Sequence, residues 1–226
     1  KNIMSYYFGF TPSVELSATI DKAYELIASK SSERYDVYRD KITQLTSKEL
    51  MDALLIKLIE SLPDDSERKA HLIKTAETIE ATSDKLINTL LSPTKNEDVL
   101  PSFDFFDQKV LKNTQSGERR ISVPLSDELA KSLLATIENV QAGKGLEEQQ
   151  NLIRLFSDLT KACLQHFLVD FTKTLNLNML KRAAIPVTDG IIVKVIDIAL
   201  RRLIPQMPQE SLERFTKHYQ ALIFNN

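Results

Sequence analysis

Apolar residues recur every three or four positions over most of the 226-residue chain, which is the spacing of one face of an α-helix. The clearest stripe continues for roughly 25 residues, or about 40 Å of helix. Its members are Leu72, Ala76, Ile79, Ser83, Leu86 and Leu90. A second long stripe begins near Leu146 and ends near Leu175. The chain has only five glycines, which disfavours folds with many tight turns. We therefore predict a mainly α fold, a helical bundle of about seven or eight helices with a small β-hairpin.

Capping residues predict where the helices of the first half begin and end. Thr46 followed by Glu49 has the spacing of a capping box, which predicts a helix that begins at Thr46 and ends at Pro63. Asp64 or Asp65 is a suitable N-cap for the long stripe that follows. We therefore expect one helix to end and another to begin around Pro63.

Capping and helix-ending residues also predict where the helices of the second half begin and end. Ser126 is the expected N-cap of one helix, and Gly143 is expected to end it. The most apolar segment, TDGIIVKVIDIALRRLIP, predicts a helix that begins at Thr188 or Asp189 and ends at Pro205. Apart from a few charged residues, positions 191–204 are apolar on every side, so we expect neighbouring helices to cover most of this helix.

The helical pattern breaks between residues 92 and 125, where Pro93, Pro101 and Pro124 interrupt it. The segments KVLK and RRISV, on either side of NTQSG, predict the β-hairpin. A stretch of this length without a helix is either an organised excursion or a link between two halves. We predict a single domain over residues 1–226, and leave open whether two helical halves, 11–91 and 126–226, are joined by the 92–125 excursion.

Charge and cysteine content narrow the class of protein. The 29 Lys and Arg against 31 Asp and Glu give a net charge of −2, so we predict no nucleic-acid partner. The single cysteine, Cys163, fits a reducing compartment, and we predict a cytoplasmic location. Because the sequence opens with Lys1, a removed N-terminal targeting segment is compatible with it. No window of about eighteen uncharged apolar residues occurs, so we expect no transmembrane segment.

Familiar catalytic and cofactor motifs are absent: there is no GxGxxG, Walker loop, HExxH or paired ExxH. We therefore expect no cofactor, no metal and a function other than catalysis. Cys163, His166 and Asp170 share one face of a predicted helix, which raises the alternative of a nucleophile with its base. Side chains on one helix project side by side and rarely converge. We therefore favour a buried thiol beside a histidine that a carboxylate holds.

Charged residues interrupt the apolar run of residues 191–204 at helical spacing. Lys194, Asp197 and Arg201 share one narrow face of the predicted helix. They either pair along a solvent-facing seam, which we favour, or line a cleft that binds an anion. Together with Arg202 they are our candidate ligand-binding residues. Between positions 161 and 205, Lys and Arg outnumber Asp seven to three. This excess suits an anionic lipid surface or an acidic partner, but ordinary solvated charge explains it as well and we favour that explanation.

Aromatic residues cluster in two segments outside the predicted helices, an extended N-terminal arm and the stretch SFDFFD. They are Tyr6, Tyr7, Phe8 and Phe10 in the first, and Phe103, Phe105 and Phe106 in the second. Aromatic side chains in such segments often anchor interfaces, so these are candidate interface residues. The alternative is that both segments fold back and cover the core, which we favour because exposed aromatic patches are uncommon on monomers.

Two functions compete on these observations. The leading prediction is a non-catalytic helical interaction module that binds another protein or itself, in a homo-oligomer. The alternative is a binding protein for a lipid-like or amphipathic anionic ligand. Its tail would lie in a pocket between the helices and its head near Lys194, Arg201 or Arg202. A cavity beside those side chains would favour the alternative.

Overall fold

The computed structural model describes residues 5–62 and 66–226, with the backbone alone at positions 61 and 66. The fold is mainly α with one small antiparallel sheet, which confirms the predicted fold class. The helices are α1 (Val14–Ala28), α2 (Tyr35–Met51), α3 (Lys57–Ser61), α4 (Ser66–Leu90), α5 (Asn96–Phe105), α6 (Asp127–Asn139), α7 (Gly145–Leu164), α8 (Met179–Leu203) and α9 (Gln209–Gln220). The strands are β1 (Tyr6–Phe10), β2 (Leu111–Asn113), β3 (Arg119–Leu125) and β4 (Ile223–Asn225).

Four described segments are π turns, in which each backbone hydrogen bond closes a loop one residue longer than in an α-helix. They are Asp52–Ile56 between α2 and α3, Phe106–Val110 after α5, Val140–Lys144 between α6 and α7, which Gly143 interrupts, and Gln165–Asp170 after α7. A short 3₁₀ turn, Ile204–Gln206, follows α8. Each π turn shifts the side chains that follow it around the helix axis, so the packing of those helices against their neighbours changes there.

The strands form one sheet in the order β2-β3-β1-β4, and all its pairs are antiparallel. The N-terminal arm is therefore an inner strand: Phe8 lies opposite Val123 of β3 on one side and Ile223 of β4 on the other. The predicted hairpin is confirmed as β2 and β3, with Gly117 at φ +87° in its turn. No signal in the sequence predicts β4.

The helix predicted to begin at Thr46 is wrong. Helical structure continues from Tyr35 through the π turn to Ser61, and Thr46 is buried inside α2. The Glu49 carboxylate accepts hydrogen bonds from the backbone N–H and the hydroxyl of Ser13, at 2.6 and 2.8 Å, and so supports the start of α1. Because residues 31–62 contain no glycine or proline, nothing interrupts the helix at the apparent capping box.

Two other helices contain a proline in their interior, which changes their predicted extent. The 92–125 excursion holds α5, with Pro101 inside it, so the expectation of no helix there is wrong. The start of α8 is also earlier than predicted: Asn178 caps it by accepting from the Lys181 N–H at 2.9 Å, and Pro186 lies within the helix. A proline removes one backbone donor, and the buried side chains on either side hold these helices together in spite of it.

The remaining helix boundaries agree with the prediction where they are described. The long stripe forms α4, although its expected caps Asp64 and Asp65 lie outside the described residues, as does Pro63. Ser126 caps α6 by accepting from the Leu129 N–H, and Gly143 ends that helical run at φ +93°.

Two hydrophobic clusters make up the core, and β1 contributes to both. Phe8 packs with α6, α7 and α9, whereas Phe10 packs with α1, α2 and α5. Each cluster includes residues from both sides of the 92–125 segment, and the segment itself adds buried side chains to both clusters, such as Phe103 and Val123. The two ends of the chain and its middle thus share one sheet.

The connection after α4 is held against α2 by buried polar groups. Arg39 donates to the Ser92 carbonyl at 3.0 Å, and the Thr94 N–H donates to the Asp36 carboxylate at 2.9 Å. Asp36 and Arg39 are buried and form ion pairs with Arg34 and Asp40, respectively. Removing Arg34 or Asp40 would therefore leave a buried charge unpaired. The hydrogen bonds to Ser92 and Thr94 keep the C-terminal end of α4 beside α2.

Substituting alanine at two glycines tests the sheet and α8 together. A Cβ at Gly9 would lie 2.6 Å from the Ile121 carbonyl oxygen, whereas at Gly190 it would meet no atom within 4 Å. We expect Gly9→Ala to lower the free energy of unfolding by about 1–3 kcal/mol through overpacking. We expect Gly190→Ala, the matched control in an exposed helix position, to raise it by about 0.5–1 kcal/mol. Urea unfolding measures both; a neutral Gly9→Ala would contradict the close β1–β3 contact.

Candidate functional site

The charged residues predicted to bind a ligand lie at two separate places. Lys194, Asp197 and Arg201 line one shallow surface groove beside α7. Arg202 lies in a different groove, between the start of α4 and the end of α8. Asp197 accepts a hydrogen bond from the Ser157 hydroxyl at 2.7 Å and, among the described residues, forms no ion pair with Lys194 or Arg201. The expected seam of ion pairs along α8 is therefore not formed.

Neighbouring helices cover only one side of α8. Its inner face includes the buried Thr188, Ile192, Ala199 and Leu203, and packs against α4 and α7. Its outer face carries aliphatic side chains that are largely exposed, which corrects the prediction that most of this helix is covered. They are Met179 (88% exposed), Leu180 (83%), Val187 (62%), Ile191 (44%) and Ile198 (41%).

The aromatic residues predicted as interface anchors belong mainly to the sheet and the core. Phe8, Phe10, Phe103 and Phe106 are buried, and Tyr6, Tyr7 and Phe105 are half-buried. Tyr7 stacks on Phe224 with ring centroids 5.6 Å apart. The side chains are placed in this way because β1 is paired on both edges and α5 packs its aromatic face inward. The four buried rings offer no surface to a partner in this structure.

Cys163 and His166 are buried, and they do not form a catalytic pair. Burial raises the pKa of the Cys163 thiol to about 12, so the thiol stays protonated at neutral pH. Burial also lowers the pKa of His166, which packs 5.3 Å from the Phe105 ring. Asp170 accepts from Gln165 and Lys173. In the part of the chain that is described, no three or more His, Cys, Asp or Glu side chains are placed to hold a metal ion.

Two adjoining apolar cavities lie between α2, α4, α7 and α8. Cavity I has a volume of about 130 Å³ and lies near the C-terminal end of α4; cavity II has about 150 Å³ and lies nearer the start of that helix. They meet at a common wall formed by Ser47, Leu50, Ser83, Leu164, Phe167 and Ile192. The lining residues of α4 extend from Leu72 to Leu90, about 27 Å of helix, so the joined space is elongated.

Three of the four π turns, Asp52–Ile56, Phe106–Val110 and Gln165–Asp170, contribute to the walls of these cavities. Leu54 and Leu55 of the first line cavity II, Val110 of the second lines cavity I, and Phe167 of the third lines both. A π turn rotates the residues after it out of the register that would interdigitate with the facing helix. The residues of these turns thus form part of the cavity walls beside α8.

The cavity walls are apolar and uncharged. No Asp, Glu, Lys, Arg or His side chain is among the described residues that line either cavity. The polar groups are hydroxyls and the protonated Cys163 thiol, and the hydroxyls of Thr43, Thr75 and Thr160 already donate to carbonyls one helical turn away. Such walls suit a hydrocarbon group and offer no ligands for a metal and no partners for a charged cofactor.

The cavities are not predicted by the sequence patterns described above, although Ser83 is one signal of them. This small polar residue stands within the apolar stripe of α4, between Ile79 and Leu86, where a large side chain would otherwise fill the interior. The π turns have no comparable signature in the sequence.

Comparison with known protein families, curated proteins and solved structures finds no match to this chain. No helix within residues 5–62 and 66–226 is both long and apolar enough to cross a membrane, as the sequence predicts.

The reactivity of Cys163 tests its burial in the wall of cavity II. A pKa of about 12 lowers the thiolate fraction about a thousandfold relative to an ordinary cysteine, and the core also shields the sulfur. We expect a water-soluble thiol reagent to modify the native protein at least about a thousandfold more slowly than the urea-unfolded protein. Absorbance of the released thiol follows both rates. Similar rates in the two states would contradict a buried Cys163 and reopen its role as a nucleophile.

Proposed function

We propose that this protein binds the apolar chain of a lipid-like molecule in cavities I and II. The observation that carries the proposal is the pair of adjoining, uncharged cavities beside α8. Soluble domains of this size normally pack their interiors to high density. A long apolar space bounded by four helices is therefore a feature that binding would explain.

The size of the cavities supports binding in energetic terms. An apolar cavity of about 150 Å³ is large enough to take up benzene, so each cavity suits a group of about six carbons. Filling apolar space recovers about 24 cal/mol per Å³, or roughly 3–4 kcal/mol for either cavity. A ligand that occupies both would consequently stabilise the folded chain by several kcal/mol.

The shape of the space favours a chain over a compact ring system. α8 lies antiparallel to α4, and the cavities follow each other along the two helices with Ile192 between them. A flexible hydrocarbon chain of about twelve carbons could pass from one to the other. Its polar head would have to lie outside, because the walls carry no charge.

The predicted head-group residues are not equally placed for such a ligand. The groove of Lys194, Asp197 and Arg201 shares no lining residue with either cavity. The groove that contains Arg202 shares Leu72 and Leu203 with cavity II. Of the four candidates, Arg202 is therefore the one we propose for contact with an anionic head.

The leading prediction from the sequence, a non-catalytic interaction module, remains a second candidate. The exposed aliphatic residues on the outer face of α8, such as Leu180 and Val187, favour it over a protein with a wholly polar surface. A homo-oligomer or a captured protein in contact with this face would support it, and a strictly monomeric protein without a partner would remove its support.

Binding of a dansyl-labelled straight-chain fatty acid tests the proposal. We expect saturable fluorescence enhancement with the purified chain and a higher Tm when the fatty acid is present. Ser83→Phe, which fills the common wall of the two cavities, should weaken binding at least about tenfold, while the free energy of unfolding stays the same or rises. Ser47→Leu fills the same place from α2 and should weaken binding of the fatty acid to a similar extent.

Thr89→Phe is the matched control, because Thr89 is exposed on another side of α4 and lines neither cavity. It should bind the probe as the unmodified chain does. Equal binding by Ser83→Phe, Ser47→Leu and Thr89→Phe would show that the probe does not enter the cavities, and would contradict the proposal.

A further inference from the structure

The outer face of α8 is the most extended aliphatic surface in the described part of the chain. Leu180, Val187, Ile191 and Ile198 follow one another at intervals of seven, four and seven residues, so they form one line along the helix. The other large exposed aliphatic residues lie singly on different helices, for example Val14 on α1 and Val37 on α2. An uninterrupted line of this kind marks a contact surface.

Five basic residues lie on α8; Lys194, Arg201 and Arg202 flank this line, whereas Lys181 and Arg182 at the start of the helix lie on other sides of it. The helix has two acidic residues, Asp189 and Asp197. None of the five basic residues forms an ion pair with a described residue, whereas Lys41, Arg119 and Arg214 elsewhere on the surface do. Arg182 donates to the Leu177 carbonyl at 3.3 Å. Five basic minus two acidic residues leaves α8 with an excess of three positive charges, opposite in sign to the net charge of −2 of the whole chain.

We propose that α8 docks on an anionic lipid surface through its outer face, with Met179 and Leu180 at the leading end. A helix with a line of aliphatic side chains and flanking Lys and Arg lies in the interface of an anionic membrane, where burial and charge attraction add. The helix would lie parallel to the membrane plane and would not cross it. This docking rests on the outer face alone and does not require cavities I and II.

A lipid surface fits this face better than a folded partner does. A stable protein interface usually needs about 800 Å² on each side with matching shape. The line on α8 is one aliphatic side chain wide, and charged residues such as Lys194 and Arg201 stand beside it. A fluid membrane adapts to a narrow, convex ridge, and its anionic head groups supply opposite charges for Lys194, Arg201 and Arg202.

Co-sedimentation with lipid vesicles tests the docking. We expect the full chain to sediment with vesicles of phosphatidylcholine and phosphatidylserine, to bind weakly to phosphatidylcholine alone, and to dissociate as salt is added. Leu180→Ser with Ile191→Ser should lower the partition coefficient at least about tenfold. Lys194→Glu with Arg201→Glu should lower the partition coefficient by a similar factor, but only for the anionic vesicles.

Val14→Ser with Val37→Ser is the matched control, since it removes two exposed aliphatic side chains away from α8. It should bind vesicles as the unmodified chain does, and circular dichroism should show the same Tm for all variants. Ser83→Phe should also keep vesicle binding, which separates failure of the docking from failure of the cavity proposal.

Three results would overturn the docking. The first is no sedimentation with anionic vesicles, and the second is equal loss of binding in the control and in the α8 variants. The third is a dimer in the absence of lipid that Leu180→Ser with Ile191→Ser dissociates. That result would assign the outer face to a second copy of the chain.

Discussion

The position of α8 against α4 and α7 is the constraint on which the candidate site depends. The three helices do not interdigitate along their whole length, and cavities I and II lie between them and α2. Leu54, Val110 and Phe167, each within a π turn, line these cavities. Buried Ile192 between the cavities keeps α8 in place, and the same helix presents its opposite side to the surroundings. One side of α8 therefore lines the cavities, and another side of the same helix carries the exposed aliphatic line.

The sheet provides the rigidity that a partly unfilled core needs. β1 pairs with β3 and β4, so the start, the middle and the end of the chain are tied to one another. Phe8 and Phe10 extend from that strand into the two hydrophobic clusters. Buried Asp36 and Arg39 hold the segment after α4 in a similar way, through hydrogen bonds to Thr94 and Ser92. The helices around the cavities are held in place at their ends, and the cavities lie between their middle parts.

Most of the fold could be predicted from the sequence, but little of the candidate site could. The stripe from Leu72 to Leu90 and the segments around Gly117 are local patterns, and local patterns specify α4 and the hairpin well. Pro101 and Pro186 lie inside helices, because buried neighbours outweigh one lost backbone bond. The sequence does not predict which side of α8 is covered. Ile191 and Ile192 are equally apolar, and only tertiary packing makes Ile192 buried and Ile191 exposed. The cavities lie between segments that are distant in the sequence, and no local pattern specifies how closely those segments pack.

Xenon binding to a crystal of the protein measures most directly whether apolar space suited to a hydrocarbon lies beside α8. Xenon enters dry apolar cavities of this size and scatters anomalously. We predict anomalous density at two places, one near Leu86 and one near Leu159, on either side of Ile192. Xenon sites confined to the surface, with continuous side-chain density between α4 and α8, would contradict the account.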